Sequence, residues 1–419
     1  MSARWATAIV AIYLFAGHAG AQESRVLTLE TAFARALESH PDLARYERLR
    51  EGAAAAVDAE SLRPPLRLDL ELENAPRTDQ ESSLDTAEAT LSLASVFERG
   101  GKREARVAMA TAMLSAIDVQ LEQRRADLLA EVARRYLDLV EAQSLSELAV
   151  ADVTRREKSV EATSRRVRAG ATPESVRLAA EAALTRATLR RDRLNEETRA
   201  AALRLAILWK SREPEFVRGT GNLLNLPGIP TLASLRELVA SSPDLRRFAD
   251  ESRLREARVQ LARSARATDI EWRLGVRRLE EDGSWAAVAG VSVPLGSDRR
   301  AAPGIRQAQS ELAALSLERE AEELTLEATL IEAHSKLTSA SAEVAGFQNV
   351  LLPKYEQAER ASERAFLAGA LTYTEWAQLQ SDASEVRVEQ LIAAVEAHRA
   401  LIEIQRLTGS PFTLSRTQP

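Results

Sequence analysis

The 419-residue chain contains no cysteine, which excludes disulfide bonds, thiolate metal sites and a lipid-bearing N-terminal cysteine. Aromatic residues make up only 4% of the chain and hydrophobic residues 45%, so alanine, leucine and valine must build the interior. Charged residues make up 28%, a composition that suits long, closely packed helices. The 56 basic and 62 acidic residues are interspersed and give a net charge of −6, so we expect solvated helix faces and no nucleic-acid partner.

Long apolar runs are also scarce. Near the start, Arg4 precedes an apolar run over residues 5–17, and Ala19 and Ala21 form an A-x-A arrangement. The run is too short to span a bilayer, so it predicts a secretory signal peptide over residues 1–21, with a buried N-terminal helix as the alternative. No later run approaches the roughly 20 apolar residues of a membrane helix. If the exported chain enters a membrane, it must do so as β-strands.

Three pairs of landmarks indicate that the chain is an internal duplication with an offset of about 200 residues. The pairs are His40-Pro41-Asp42-Leu43 with Ser242-Pro243-Asp244-Leu245, Leu91-Ser92-Leu93 with Val291-Ser292-Val293, and Ala169-Gly170 with Ala368-Gly369. A stretch rich in proline and glycine separates the two copies. We therefore expect a first repeat over residues 22–210, a linker over 211–230, a second repeat over 231–412 and a C-terminal tail over 413–419.

Each copy is predicted to run helix, two strands, one very long helix, a turn and another helix. The strands are expected in two pairs, at residues 66–74 with 86–96 and at 270–279 with 285–293. They alternate between an apolar face and a charged face that includes Arg67, Asp69, Glu71, Glu73, Arg273 and Arg277. Strands of this kind suit lipid on one side and a water-filled lumen on the other, although an exposed sheet on a soluble core has the same alternation.

The number of strands bears on the assembly. Four strands cannot close a barrel, since known bacterial barrels start at about eight strands, so a membrane-spanning sheet requires several copies of the chain. Two copies would give eight strands and an interior filled by side chains, whereas three would give twelve strands and room for a channel. The charged inner face favours three copies.

The long helices show apolar residues at spacings of three, four and seven. From about residue 101 to residue 168 there is no proline, which predicts a helix of nearly 70 residues and roughly 100 Å. In the second copy the sevens continue through Leu330, Leu337, Val344 and Leu351. Pro353 follows them and is expected to kink the helix or to mark its boundary.

Residues 97–106, FERGGKREAR, combine a glycine pair with several basic residues at the predicted strand-to-helix junction. A Walker loop needs G-x-x-x-x-G-K-[ST], but this segment lacks the upstream glycine and has arginine after the lysine. We interpret Gly100 and Gly101 as the residues of a sharp turn, followed by basic residues at the membrane edge. Residues 294–304 repeat this chemistry in the second copy, which favours architecture over catalysis.

Catalytic patterns are missing from the sequence. The four histidines, His18, His40, His334 and His398, are dispersed, and none has a His or Cys partner at ligand spacing. Carboxylates are so abundant on the helices that two of them lying close together carries little weight. We expect no enzymatic activity, no cofactor and no resident metal site. Metal ions, if they are the cargo, would pass through in water.

The order of these segments resembles the TolC-like outer-membrane efflux protein family, and LSLASVFERGGKREAR resembles the strand-to-helix signature of its heavy-metal (CzcC-type) branch. The other matching segments are LTLETAFARALESHPDL (27–43), RVRAGATPESV (166–176), AFLAGALTYTEW (365–376) and IQRLTGSPF (404–412). The resemblance covers essentially the whole mature chain. It depends on the order of the segments and on the duplication, since no single motif is decisive.

The resemblance implies a mainly α fold with a small β part: a homotrimer in which a 12-stranded outer-membrane β-barrel continues into a long periplasmic α-helical barrel of twelve columns. It implies an exit duct, held in outer-membrane lipid, that works with a periplasmic adaptor (membrane fusion) protein and an inner-membrane RND-type pump. Heavy-metal cations are the expected cargo, with drugs or secreted proteins as alternatives. A periplasmic coiled-coil adaptor or scaffold is the alternative from another class, but it leaves the lipid-like strand faces unexplained.

The two Ala-Gly turns, at Gly170 and Gly369, are then expected to be the periplasmic tips of the helical barrel. In the family, an acidic residue shortly after the second tip glycine lines the closed pore. The matching residue here is Glu375, whereas the position three residues later, often also acidic, is Gln378. An exposed helix carboxylate is the alternative role for Glu375, and Glu174 is a weaker gate candidate at the first tip.

Overall fold

The computed structural model describes residues 26–74 and 87–413. The predicted signal peptide lies outside these described residues. So do residues 75–86, which include the first residue of the second predicted strand, and residues 414–419 of the predicted tail.

The chain forms two copies of one succession of elements. The first copy contains β1 (Val26–Leu27), α1 (Leu29–Ser39), α2 (Pro41–Ser61), β2 (Arg67–Glu73), β3 (Glu88–Phe97), α3 (Lys102–Arg168) and α4 (Glu174–Ala206). A 3-10 helix (Ile207–Trp209) and strand β4 (Arg218–Gly219) come next. The second copy contains α5 (Leu232–Ala240), α6 (Pro243–Ser264), β5 (Ile270–Leu279), β6 (Trp285–Ser292), α7 (Ser297–Gly346), a π-helical turn (Phe347–Leu351), α8 (Leu352–Ala368) and α9 (Tyr373–Thr408). The predicted order of helices and strands is confirmed in both copies.

The first pair of landmarks, at His40 and Ser242, marks the same kind of helix start in both copies. At the start of α2, His40 Nδ1 accepts a hydrogen bond of 3.2 Å from the backbone N–H of Asp42. At the start of α6, Ser242 Oγ accepts a hydrogen bond of 3.3 Å from the backbone N–H of Leu245, three residues further on. In each case proline follows the capping residue, where its missing N–H costs nothing. His40 therefore has a structural role that serine fills in the second copy.

The helices form two stacked layers of four. In the layer next to the strands, the packing order is α2, α3, α6 and α7, and in the other layer it is α4, α3, α9 and then α7 with α8. Helix α3 passes through both layers, and its 67 residues correspond to about 100 Å, as predicted. Each chain thus supplies four helical columns, one third of the twelve that the family resemblance implies. None of the helices in the described part of the chain is long and apolar enough to cross a membrane.

The main hydrophobic core lies where the two layers meet. It combines the predicted apolar stripe of α3 with residues of α1, α4, α9 and the linker. Tyr136, in the middle of this stripe, is completely buried. Its hydroxyl oxygen lies 2.8 Å from the carbonyl oxygen of Leu27 and 2.7 Å from that of Thr220, and it accepts a 2.8 Å hydrogen bond from the Thr220 N–H. One phenol thus fastens β1 and the linker, whose strands pair in parallel, to the long helix.

The long helix of the second copy is interrupted. Leu330, Leu337 and Val344 are buried at intervals of seven, but the fourth residue of that series, Leu351, falls in the π-helical turn. Pro353 lies in the first turn of α8 and cannot donate to the carbonyl four residues earlier. The predicted boundary at this proline is confirmed, and a π-helical turn is the form that it takes.

Candidate functional site

The four long strands form one antiparallel sheet in the order β2, β3, β5, β6. The two predicted hairpins therefore join through β3 and β5, which come from different copies. Directly paired residues of an antiparallel sheet share a face. Leu68 pairs with Leu93, which in turn pairs with Leu274, so leucines of three strands form one row across the sheet.

The apolar face of this sheet is open. Leu68 and Leu70 are 71% and 68% exposed, and the neighbouring strands also present exposed apolar residues, namely Leu91, Leu93, Leu274 and Val276. Continuous exposed apolar surface of this kind marks a site of contact with lipid or with another protein. Within residues 26–74 and 87–413, no part of the chain covers it.

The opposite face carries all six residues predicted for a lumen: Arg67, Asp69, Glu71, Glu73, Arg273 and Arg277. Arg277 lies 3.2 Å from Glu73 and 2.6 Å from Glu88, and it donates a 3.0 Å hydrogen bond to Thr90 Oγ1. Glu88 and Thr90 were missed in the sequence, although both occupy the charged-face positions of the alternating strand β3.

The exposure of the two faces differs from that of a sheet packed on a soluble core. On the charged face the small residues of β3 are covered by their long neighbours, so Thr90, Ser92 and Ala94 are only 2%, 4% and 5% exposed. The leucines are exposed on the other face, just as long charged side chains such as Glu71 and Arg273 are about half exposed on this one. In a soluble protein the leucines would be buried and the charged residues would face solvent. The arrangement fits a sheet that has water on its charged side and an apolar medium on its other side.

The FERGGKREAR segment is a turn. Gly100 has φ +75°, and a Cβ on it would lie 2.2 Å from the Cβ of Ala267, so the backbone conformation and the close approach both require glycine. Lys102 Nζ lies 2.7 Å from Asp269 Oδ2. Arg106 Nη2 lies 3.1 Å from Glu98 Oε2, and its Nε donates a 2.9 Å hydrogen bond to Glu60. These two basic residues are engaged by carboxylates of the chain, which leaves no cradle for a phosphate.

The two Ala-Gly turns have the same backbone. Gly170 and Gly369 have φ of +69° and +84°, and in each turn the following N–H donates a 2.9 Å bond five residues back, from Ala171 to Arg166 and from Ala370 to Ala365. This is the Schellman arrangement, which ends a helix and favours glycine at the left-handed position. The glycine signal in the sequence thus located both helix reversals.

The two turns also touch. Arg166, from the end of α3, donates a 2.6 Å hydrogen bond to the carbonyl oxygen of Phe366 and lies 5.1 Å from the centre of that ring. On its other side, the Phe366 ring stacks on Trp376 at 4.5 Å between centroids. Phe366 and Trp376 are almost completely buried. A cation, two aromatic rings and a helix C-terminus therefore hold the two helix reversals side by side.

Glu375 lies in the first turn of α9 and forms a capping box with Thr372. Its carboxylate accepts hydrogen bonds from Thr372 Oγ1 at 2.7 Å and from the Thr372 N–H at 3.0 Å, while Thr372 Oγ1 accepts from the Glu375 N–H at 3.3 Å. These bonds, the hydroxyl first, lower the pKa of Glu375. The side chain is fully exposed and ionised at neutral pH, so it combines a structural role with a charge presented to solvent.

Glu174, the weaker candidate, is the first residue of α4 and accepts a 2.8 Å hydrogen bond from Arg177 Nε. That bond lowers the pKa of Glu174. Because Arg177 also pairs with Glu181, the carboxylates at this tip are partly neutralised by a cation from their own helix. Glu375 has no such basic neighbour among its hydrogen-bond and ion-pair partners in the described structure.

Two acidic residues of α9 were missed in the sequence. Asp382 and Glu389 follow Glu375 at intervals of seven residues, a spacing that rotates each by only about 20° around the helix. Gln378 donates a 2.7 Å hydrogen bond to Asp382 Oδ1, so the amide lies against a carboxylate one turn away. The signal in the sequence was the interval of seven residues, which places the carboxylates of Glu375, Asp382 and Glu389 in one acidic column along α9.

Across residues 26–74 and 87–413, no group of three or more histidine, aspartate or glutamate side chains could hold a metal ion. The histidines described there contact the backbone. His334 Nε2 lies 3.0 Å from the carbonyl oxygen of Pro230, and His398 Nε2 lies 3.0 Å from that of Leu223, so both contact the linker. His18 lies outside the described residues.

Comparison with known proteins gives similarity to one family. Residues 32–209 match the family model described as Outer membrane efflux protein. The chain is 26% identical over 383 residues to the cobalt-zinc-cadmium resistance protein CzcC of Cupriavidus metallidurans, and the match covers 91% of this chain and 90% of that protein. It is also 26% identical over 307 residues to the nickel and cobalt resistance protein CnrC of the same organism, and that match covers 72% of this chain and 70% of that protein.

Solved structures agree on the fold of this chain. The CusC crystal structures match with a TM-score of 0.76 at 14% identity, over 91% of this chain and 92% of that chain. The outer membrane protein VceC of Vibrio cholerae matches with a TM-score of 0.71 at 16% identity, over 92% of this chain and 97% of that chain. The predicted combination of a small sheet with long helices is therefore confirmed, and the family model with the two curated relatives bears out the predicted resemblance to TolC-like outer-membrane efflux proteins.

Proposed function

We propose that this protein is a passive exit duct in the outer membrane that releases heavy-metal cations delivered from inside the cell. The observation that carries the proposal is the sheet itself. Its exposed leucine face and its charged face, joined by tight glycine turns to helices of about 100 Å, make a wall that lies partly in lipid and partly in the periplasm.

The duct is a homotrimer. Three sheets supply twelve strands, enough for a barrel with an open interior, and three sets of four columns supply a twelve-column helical barrel. In this assembly the leucine face contacts outer-membrane lipid. Arg67, Asp69, Glu71, Glu73, Arg273 and Arg277 then line the lumen.

The helix reversals at Gly170 and Gly369 form the periplasmic end. A periplasmic adaptor protein and an inner-membrane RND-type pump engage this end, and the pump supplies energy and direction. Glu375 stands there with its charge exposed. Three such carboxylates around a threefold axis would repel one another and attract cations, since a pair of charges 4 Å apart interacts by about 1 to 4 kcal/mol for effective dielectric constants of 80 to 20.

The choice of cargo draws on the relatives. The two curated relatives are named for resistance to cobalt, zinc and cadmium and to nickel and cobalt. The acidic column of Glu375, Asp382 and Glu389 on α9 suits a wall that conducts cations without binding them firmly. Hydrated metal ions would then pass through a lumen whose carboxylates are dispersed.

The test is deletion of the gene and growth of the host on a panel of zinc, cobalt, cadmium, nickel, copper, silver, dyes and detergents, with restoration by the intact gene as the control. Sensitivity confined to metals supports the cation duct. Sensitivity to dyes and detergents with unchanged metal tolerance would make the protein a drug exit duct. Recovery of the protein in the soluble periplasmic fraction, with no outer-membrane form, would overturn the duct and favour a coiled-coil scaffold.

A further inference from the structure

In the helical layer that contains α4 and α9, helices α3, α8 and α9 enclose a group of charged side chains that the proposed duct does not use. The group, which we call the arginine cluster, consists of Arg155, Arg156, Arg387, Asp152 and Glu359. Their side chains are between 9% and 24% exposed. Three cations and two anions leave one positive charge in excess in a place where water can solvate it only partly.

The ion pairs inside the arginine cluster are loose. Arg155 lies 3.6 Å from Asp152 and 3.7 Å from Glu359, and Arg156 also lies 3.6 Å from Asp152. These distances exceed those of hydrogen bonds, whereas Arg387 donates a 3.2 Å hydrogen bond to Glu359 Oε2. The carboxylates therefore compensate the guanidinium groups incompletely.

Arg155 is the least satisfied member. One of its terminal nitrogens donates a 3.1 Å hydrogen bond to Ser384 Oγ, but its buried Nε has no hydrogen-bond partner. Burial first, and then the charge of Arg387, lower the pKa of Arg155. A buried N–H of a charged group without an acceptor is costly, which calls for an acceptor at this point.

A cavity of about 20 Å³ opens beside these groups, between α3, α4 and α9. Its polar wall consists of Asp152, Arg155, Arg190, Ser384 and Arg387, and the rest of the wall is aliphatic. Arg190 comes from α4, and no hydrogen bond or ion pair joins it to another residue in the described structure. The wall thus presents three guanidinium groups and one carboxylate. The space holds a single atom of about the size of water and is too small for phosphate or sulfate.

We propose that this cavity binds one monatomic anion, chloride in the cell. The anion would accept from the buried N–H of Arg155 and lie between the cations of Arg155, Arg387 and Arg190. It would offset the excess charge of the arginine cluster and connect α3, α9 and α4. This inference does not depend on the cargo of the duct.

Thermal unfolding of the purified full-length protein, at constant ionic strength with sodium chloride replaced stepwise by sodium gluconate, tests the site. Gluconate is too large for the cavity, so we expect Tm to rise with chloride and to saturate, and bromide to act in the same way. Crystals grown in bromide should show an anomalous peak between Arg155 and Arg190. Equal Tm in chloride and gluconate, together with no bromide peak, would mean that the cavity holds water and would overturn the proposal.

A matched pair of variants distinguishes chloride binding at a defined site from general screening of surface charge by salt. Arg190→Gln should raise the chloride concentration needed for half of the Tm shift by about tenfold or more, the size expected when a charged hydrogen-bond partner is lost. Arg186→Gln makes the same charge change one turn earlier on α4, at a residue that is exposed like Arg190 but does not line the cavity. Equal effects of the two variants would show that the response is surface screening and would refute a defined site.

Discussion

Replacing Leu68 and Leu70 with arginine should prevent insertion into the outer membrane. Leu70 is the central residue of β2 and Leu68 lies one step along the same exposed face, so both side chains fall within the apolar band of a membrane strand. An arginine facing lipid near the midplane costs about 2 to 4 kcal/mol. Two of them cost about 4 to 8 kcal/mol per chain, comparable to the whole stability of a typical domain.

The control is the double variant Asp69→Arg with Glu71→Arg. These residues alternate with the leucines on the same strand, so the substitutions introduce the same two side chains on the opposite face. They break only the 3.8 Å pair of Glu71 with Arg273, in which both side chains are about half exposed and the contribution to stability is below about 1 kcal/mol. We expect this variant to reach the outer membrane.

The assay is the amount of heat-sensitive oligomer in the outer-membrane fraction, measured for both variants at equal expression. Normal assembly of the leucine variant would refute the contact of this face with lipid. Loss of assembly in the control alone would reverse the assignment of the two faces. Loss in both would show that β2 tolerates no arginine on either side, and the argument from alternation would then fail.

Four further outcomes are expected. Tyr136→Phe should lower the free energy of unfolding by about 0.5 to 1.5 kcal/mol, because the part-buried carbonyl of Thr220 loses its hydrogen-bond donor while the Thr220 N–H keeps the carbonyl of Leu27, and a fall in Tm at fixed protein concentration checks it. Burial lowers the pKa of His398 below 6.5, so the unfolded chain takes up the proton first as the pH falls. The stability of the folded protein should therefore fall below about pH 6.5, by at most about 1.4 kcal/mol per pH unit. His398→Gln should make Tm depend less on pH between 7.5 and 5.5, and an equal slope in both proteins would contradict this prediction. Glu375→Gln should weaken cation preference while glutamine keeps the capping box, so an unchanged single-channel reversal potential would remove Glu375 from the pore. Gly100→Ala should lower the free energy of unfolding by more than about 1 kcal/mol. Its control is Gly52→Ala, in a helix with no atom within 4 Å of the new Cβ, which should be neutral or stabilising. Equal Tm values for the two variants would show that the turn tolerates a side chain.

Much of the fold could be predicted because its signals are local. Strict alternation placed β5 at its observed bounds and the other strands within two residues of theirs, and the left-handed glycines Gly170 and Gly369 marked the helix reversals. The pairing of β3 with β5 could not be predicted in the same way. Its partners, such as Leu91 and Val276, are far apart in the chain and carry no mutual signal beyond being apolar.

The candidate site was predicted less completely, for physical reasons that differ between residues. The capping box at Thr372 and Glu375 is visible in the sequence as a T-x-x-E motif, a signature of helix starts that leaves a charge at Glu375 free to face a pore as well. The arginine cluster was not readable. Arginine and glutamate occupy most helical turns of this chain, and only packing decides which of them, such as Arg155 and Glu359, become buried together.

The two long helices differ at one point beside the linker. Residue 154 of α3 corresponds to Pro353 by the offset at the tips, yet α3 is continuous where the second copy has a π-helical turn. The linker occurs once per chain, and it packs against α7 and this turn: Leu223 belongs to the same core cluster as Val344, with Phe347 packed against it. One extra residue in a helical turn rotates everything after it by about 100°. The linker also packs against α3, which stays continuous, so the interruption takes its place from Pro353, a residue that only the second copy has at this point.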